Sequence, residues 1–79
     1  MQMDLRAVFA ANLRRLRNAK NWSQEALAHE AGINRSYLAR IEAEKPWVGL
    51  EVIGKLAEAL SVEPAELLRM PRRSAIRGE

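Results

Sequence analysis

The chain has 79 residues, 48% of them apolar, with no cysteine, a single histidine and a formal charge of +3. A chain of that length forms one domain that buries little more than about 60% of its unfolded surface. The absence of cysteine excludes disulfides and a thiolate metal site as sources of stability and suits a reducing compartment.

No apolar run approaches the roughly 18 residues of a membrane span, and the first residues are polar and acidic rather than a basic stretch followed by an apolar one. A soluble, unexported, cytoplasmic protein with no membrane contact is therefore expected. Both ends are basic, with Arg6, Arg14, Arg15, Arg17 and Lys20 at one and Arg69, Arg72, Arg73 and Arg77 at the other, while the middle is acidic.

In chain order, Leu5, Phe9, Leu13 and Leu16 recur at helical spacing and predict an amphipathic helix over 4–19, capped by Asp4. Ser23 caps a second helix over 24–31, which Gly32 ends by tolerating a left-handed backbone. Asn34 caps a third helix bearing Leu38 and Ile41, with Pro46 expected to force its end. Leu50, Ile53, Leu56, Ala57 and Leu60 place a fourth helix over 50–60, and Pro64 opens a short fifth through Leu68. Before four of these helices an apolar residue precedes the cap and pairs with another in the second turn: Trp22 with Leu27, Ile33 with Leu38, Val48 with Ile53, and Val62 with Leu67. No period-two run of branched residues marks a strand, so the fold class is all-α.

Only Gly32, Ile33 and Asn34 separate the second and third helices, a link short enough to cross them steeply, with the glycine such a turn favours. At about 100° per residue, Leu38 and Ile41 share one side of the third helix. Arg35, Ser36, Ala39, Arg40 and Ala43 share the other. That second face carries arginines and small residues but no carboxylate, which suits a major groove where arginine bonds guanine bidentately. Enzyme chemistry has no support: His29 stands alone and is expected to be solvated, and the carboxylates are scattered without a second ligand or base. No cofactor or metal is indicated.

The run SQEALAHEAGINRSYLARIEAEK resembles the helix-turn-helix of phage repressors of the Cro and cI type, the XRE family, over roughly residues 8 to 68. The resemblance implies a five-helix, lambda-repressor-like DNA-binding domain over 1–68 followed by a basic tail over 69–79. It implies a transcriptional regulator that binds double-stranded DNA as a homodimer on a two-fold symmetric operator, with half-sites about 34 Å apart. Arg35, Ser36 and Arg40 align with base-reading positions. Gln24 aligns with a phosphate contact that also braces the residue opening the third helix. Asn34 aligns with the cap that approaches the backbone, and Lys45 is the best candidate for a backbone contact from the following loop. The Tyr37 hydroxyl, at the edge of the same face, is a further phosphate donor. Arg17 and Glu42 align with a buried ion pair joining the first and third helices. The fifth helix and the tail are implied to supply the subunit contact, with Leu67, Leu68 and Ile76 as its apolar residues and Gly54 permitting close helix approach.

Two positions depart from the family pattern. Glu44 stands where a glycine is usual, implying a reshaped loop or a strained left-handed residue, and Gly49 replaces a Ser or Thr cap. Trp47, beside this loop, is expected to cover the core edge, with a partner subunit or DNA as the other surfaces it would suit. The acidic middle, Trp47 and the unusual turn also fit a rival reading: a protein-interaction module such as an antitoxin or accessory subunit whose DNA binding is secondary.

Overall fold

The computed structural model describes residues 4–70, and within them every element is helical. The elements are α1 (Leu5–Ala19), α2 (Gln24–Ala31), α3 (Arg35–Glu42), α4 (Leu50–Leu60) and α5 (Pro64–Leu67). Ile76 lies outside the described residues. None of the described helices is long and apolar enough to cross a membrane.

Three helix starts are fixed by side chains that accept hydrogen bonds from otherwise unpaired backbone amides. Asp4 accepts from the Arg6 amide, Ser23 from Ala26, and Asn34 from both Ser36 and Tyr37. Gly49 starts α4 without any side-chain bond, so that end lacks the cap which a serine or threonine would supply.

Four helix ends share one device. Asn21, Gly32, Glu44 and Ser61 adopt left-handed backbone, with φ of 60°, 72°, 66° and 60°. In each case the amide of the residue after the left-handed one donates back to a carbonyl five residues earlier: Trp22 to Arg17, Ile33 to Ala28, Lys45 to Arg40 and Val62 to Ala57. These are Schellman ends, in which the left-handed residue is glycine where it causes least strain. Only Gly32 follows that preference.

Three of the ends continue into the next helix in the same way. Trp22, Ile33 and Val62 each follow the left-handed residue, precede the next cap and pack against the core. One apolar side chain thus closes one helix and staples the start of the next.

The end of α3 breaks this pattern and corrects an expectation. The helix stops at Glu42, with Ala43 as cap and Glu44 left-handed, so the chain has already turned before Pro46 can act.

The core consists of Leu13, Leu27, Leu38, Ile41, Leu56 and Leu67, each essentially inaccessible, with Phe9 and Leu60 beside them. Every such side chain contributes about 1.5–3 kcal/mol by leaving water. α1 packs on α3 and α5, and α2 on α3 and α4. The short α3 is therefore held between α1 and α2, with one face in the core and the other outward.

Candidate nucleic-acid interface

The outward face of α3 carries Arg35, Ser36 and Arg40, all exposed, with Ala39 half-buried between them. Leu38 and Ile41 lie in the core, so the division read from the helical wheel is the one the fold enforces. The Arg40 guanidinium sits 5.5 Å from the centre of the half-buried Tyr37 ring, a cation–π distance that biases the arginine toward one side of the helix.

Glu42 is the one carboxylate of α3, and it is turned inward with only 4% of its side chain exposed. Arg17 Nε donates to its Oε2 at 2.7 Å and Arg17 Nη2 to its Oε1 at 3.0 Å. Gln24 Nε2 donates to the same Oε1 at 3.0 Å. Arg17 Nη1 reaches onward to the Trp22 carbonyl at 2.8 Å. A buried carboxylate so partnered is neutralised locally and joins α1, α2 and α3 at one point.

This geometry revises the role expected of Gln24 as a brace. Its amide holds Glu42 at the end of α3, not the residue that opens α3. Its position in the first turn of α2, where backbone amides attract anions, is unchanged.

Sequence reasoning missed three side chains that support the site. Arg14 donates through Nη1 to the Glu42 carbonyl, holding the last turn of α3 from the α1 side. Arg6 donates to the Lys45 carbonyl at 3.4 Å and stacks 4.6 Å from the Trp47 ring centre. Asn12 donates to the Leu67 and Arg69 carbonyls at 2.9 and 3.0 Å, closing the open end of α5. Arg14 and Arg17 lie one turn apart on α1, a spacing that puts both on one stripe; a basic stripe facing Glu42, the one buried acid among the described residues, was the available signal.

Other expected residues fall as follows. Asn34 is exposed and its side-chain oxygen is engaged in the cap. Lys45 is exposed in the loop after α3, and His29 is exposed on α2. Trp47 does not cover the core edge: it is 68% exposed, with its ring stacked on the Arg6 guanidinium. Leu67, expected at a subunit contact, has no accessible surface. It completes the interior of the monomer and has nothing to present to a second chain, whereas Leu68 is partly exposed. An added Cβ at Gly54 would meet nothing within 4 Å, so no helix of the same chain approaches it closely. Among the described residues no cluster of potential metal ligands occurs.

Two helices crossing through a three-residue turn, with the second offering arginines outward from a core-anchored, carboxylate-free face, define a helix-turn-helix regulator that binds DNA. A model of the helix-turn-helix family HTH_3 matches residues 13–67, and the chain belongs to that family, the Cro and cI type. It is a DNA-binding transcriptional regulator and not an enzyme.

The hypothetical transcription factor of Neisseria meningitidis serogroup B is 42% identical over 71 residues, covering 90% of this chain and 67% of its own length. Its fold is also similar: the crystal structure of hypothetical transcription factor NHTF from Neisseria superposes with a TM-score of 0.86 at 40% identity, over 96% of this chain and 86% of that one. Control protein C.BamHI of Bacillus amyloliquefaciens is 39% identical over 69 residues, covering 86% of this chain and 85% of its own length. The restriction-modification controller protein C.AhdI from Aeromonas hydrophila superposes with a TM-score of 0.76 at 47% identity, covering 78% and 94% of the two chains.

Proposed function

We propose that the chain is a sequence-specific regulator that binds a two-fold symmetric operator as a homodimer, each copy laying α3 in a major groove. The observation that carries this reading is the α3 surface itself. Arg35 and Arg40 stand exposed around small residues while Glu42, the one acid of α3 itself, is buried and paired. Arg35, Ser36 and Arg40 read base edges. Gln24, Asn34, Tyr37 and Lys45 hold the flanking phosphates, with Asn34 using the amide nitrogen that its cap leaves over. Similarity to control proteins and to a restriction-modification controller supports a regulator of that kind, with Leu68 and the tail residue Ile76 the remaining apolar candidates for subunit contact.

Gel-shift titrations over a salt series test it, using a site selected from random duplexes and its single-base variants. Arg35→Ala or Arg40→Ala should lose about 1–3 kcal/mol on the selected site and relax preference at one base pair per half-site. Lys45→Ala should weaken all duplexes alike and reduce the salt slope by about one per half-site. If both arginine variants lower all affinities together and leave base preference intact, α3 is not the reader. If the wild-type chain shows no salt-dependent duplex binding, the protein-interaction reading replaces this one.

A further inference from the structure

Three contacts of different kinds converge on Arg6 at the start of α1. Its Nε lies 3.5 Å from an Asp4 carboxylate oxygen, its guanidinium stacks 4.6 Å from the centre of the Trp47 ring, and its Nη1 donates to the Lys45 carbonyl at 3.4 Å. A surface arginine ordinarily keeps wide rotamer freedom. This one is held by the residue that caps α1 and by two residues of the 43–49 loop. Among the described residues its bond to Lys45 is the one hydrogen bond that ties this loop to α1.

The consequence falls on Lys45. Its amide donates to the Arg40 carbonyl at 3.1 Å and its carbonyl accepts from Arg6, so both of its main-chain polar groups are engaged. Glu44 before it is left-handed, and Pro46 after it restricts Lys45 to extended backbone. The side chain, by contrast, is exposed and forms no ion pair among the described residues. Trp47 has its place in the same arrangement. At 68% exposed it adds little to the core, but its ring gives the planar Arg6 guanidinium a face to stack on, which a lysine ammonium would use less well.

We propose that Arg6 is a positioning residue for DNA binding that acts through Lys45. Latched between Asp4 and Trp47, it holds the Lys45 backbone so that the ammonium meets a duplex phosphate from a loop already in place. The inference rests on the phosphate contact proposed for Lys45 and adds the side chains that make that contact effective. Ordering a loop at the moment of binding lowers affinity, and a loop ordered beforehand avoids the loss. Arg6 is not itself the phosphate ligand: its Nε, its Nη1 and one side of its guanidinium plane are already engaged within the chain.

The test is a set of double-mutant cycles on the full chain, read by gel shift over a salt series on half-site duplexes, so that subunit association does not enter. In the wild type, Lys45→Ala should weaken every duplex about fivefold or more at about 0.1 M salt and lower the salt slope by about one. The same change should cost at least about threefold less in the Arg6→Gln and Trp47→Gln backgrounds, beyond the roughly twofold within which independent sites add. Trp47→Gln is the sharper arm, because it removes the stack without removing a charge. Trp47 is mostly exposed, so that cycle stands even where circular dichroism shows a lower melting temperature for Arg6→Gln. Base preference should match the wild type in all of these variants. Additive losses in both cycles overturn the proposal and make Arg6 a contact in its own right. An Arg6→Gln protein with a lowered melting temperature and wild-type duplex affinity overturns it too, leaving Arg6 a support of the fold alone. The DNA reading fails differently. If Arg35→Ala and Arg40→Ala leave base preference intact, α3 is not the reader, yet the coupling of Arg6 to Lys45 is still measured on any duplex. A wild-type chain without salt-dependent duplex binding overturns both.

Discussion

Replacing Arg17 by methionine, alone and together with Glu42→Leu, measures how far the ion pair holds α3 in place. In the single variant the Glu42 carboxylate, 4% exposed, keeps only the Gln24 amide. Stranding one partner of a buried pair costs about 3–5 kcal/mol. Loss of the bond to the Trp22 carbonyl adds about 1 kcal/mol. A 79-residue chain has about 4–12 kcal/mol of total stability at 0.05–0.15 kcal/mol per residue, so Arg17→Met removes much of it. The double variant replaces the charge with apolar volume and leaves the Gln24 amide and Trp22 carbonyl short of partners, a loss of about 1–3 kcal/mol. It should therefore be more stable than the single Arg17→Met, the reverse of additive behaviour. Urea unfolding followed by circular dichroism reads both values, and each kcal/mol moves the melting temperature by about 4–8 °C. An Arg17→Met loss below about 1 kcal/mol, or a double variant less stable than the single one, would mean that the pair is solvated and does not anchor α3.

The two left-handed residues at the ends of α2 and α3 should respond in opposite directions. Gly32→Val should destabilise by about 1 kcal/mol or more and Glu44→Gly should stabilise by about 1 kcal/mol, since a side chain at positive φ is strained and glycine is not. Equal melting temperatures for Glu44→Gly and wild type would show that the Arg6 and Arg14 contacts, not the backbone, set the loop. Asn34→Ala should cost about 1 kcal/mol by removing the acceptor for the Ser36 and Tyr37 amides; it should also weaken duplex binding beyond that, and a loss of stability with unchanged DNA affinity would limit Asn34 to capping.

What the sequence made legible was local. Helix spans, caps at Asp4, Ser23 and Asn34, the turn at Gly32 and the inward and outward sides of α3 all follow from residues within about four positions of one another, where periodicity and capping chemistry decide the conformation. The left-handed positions of Asn21 and Ser61 were missed, although each stands just before an apolar residue and a cap, as Gly32 does. Asparagine tolerates that conformation through local hydrogen bonding, so Asn21 carried a usable signal; Ser61 carried only its place in the pattern.

The 43–49 loop was the least legible segment because its conformation is settled by residues far away in sequence. Arg6 reaches the Lys45 carbonyl across 39 positions and Arg14 reaches the Glu42 carbonyl across 28, and neither contact has a periodic signature. The same long-range hold explains why Trp47 is out of the core. A tryptophan following a proline in a short loop reads as a lid over apolar residues, yet the Arg6 guanidinium offers its ring a cationic partner at the surface, and Val48 takes the place against the core instead. Glu44 follows from the same arrangement: with α3 held at its last carbonyl by Arg14 and the loop held by Arg6, the chain must turn within two residues, and only a left-handed residue after Ala43 allows it. Two arginines of α1 thus fix both the end of the helix proposed to read DNA and the loop that presents Lys45 beside it. One strained residue is accepted there in exchange for a fixed boundary between the face proposed to meet DNA and the exposed Trp47 behind it.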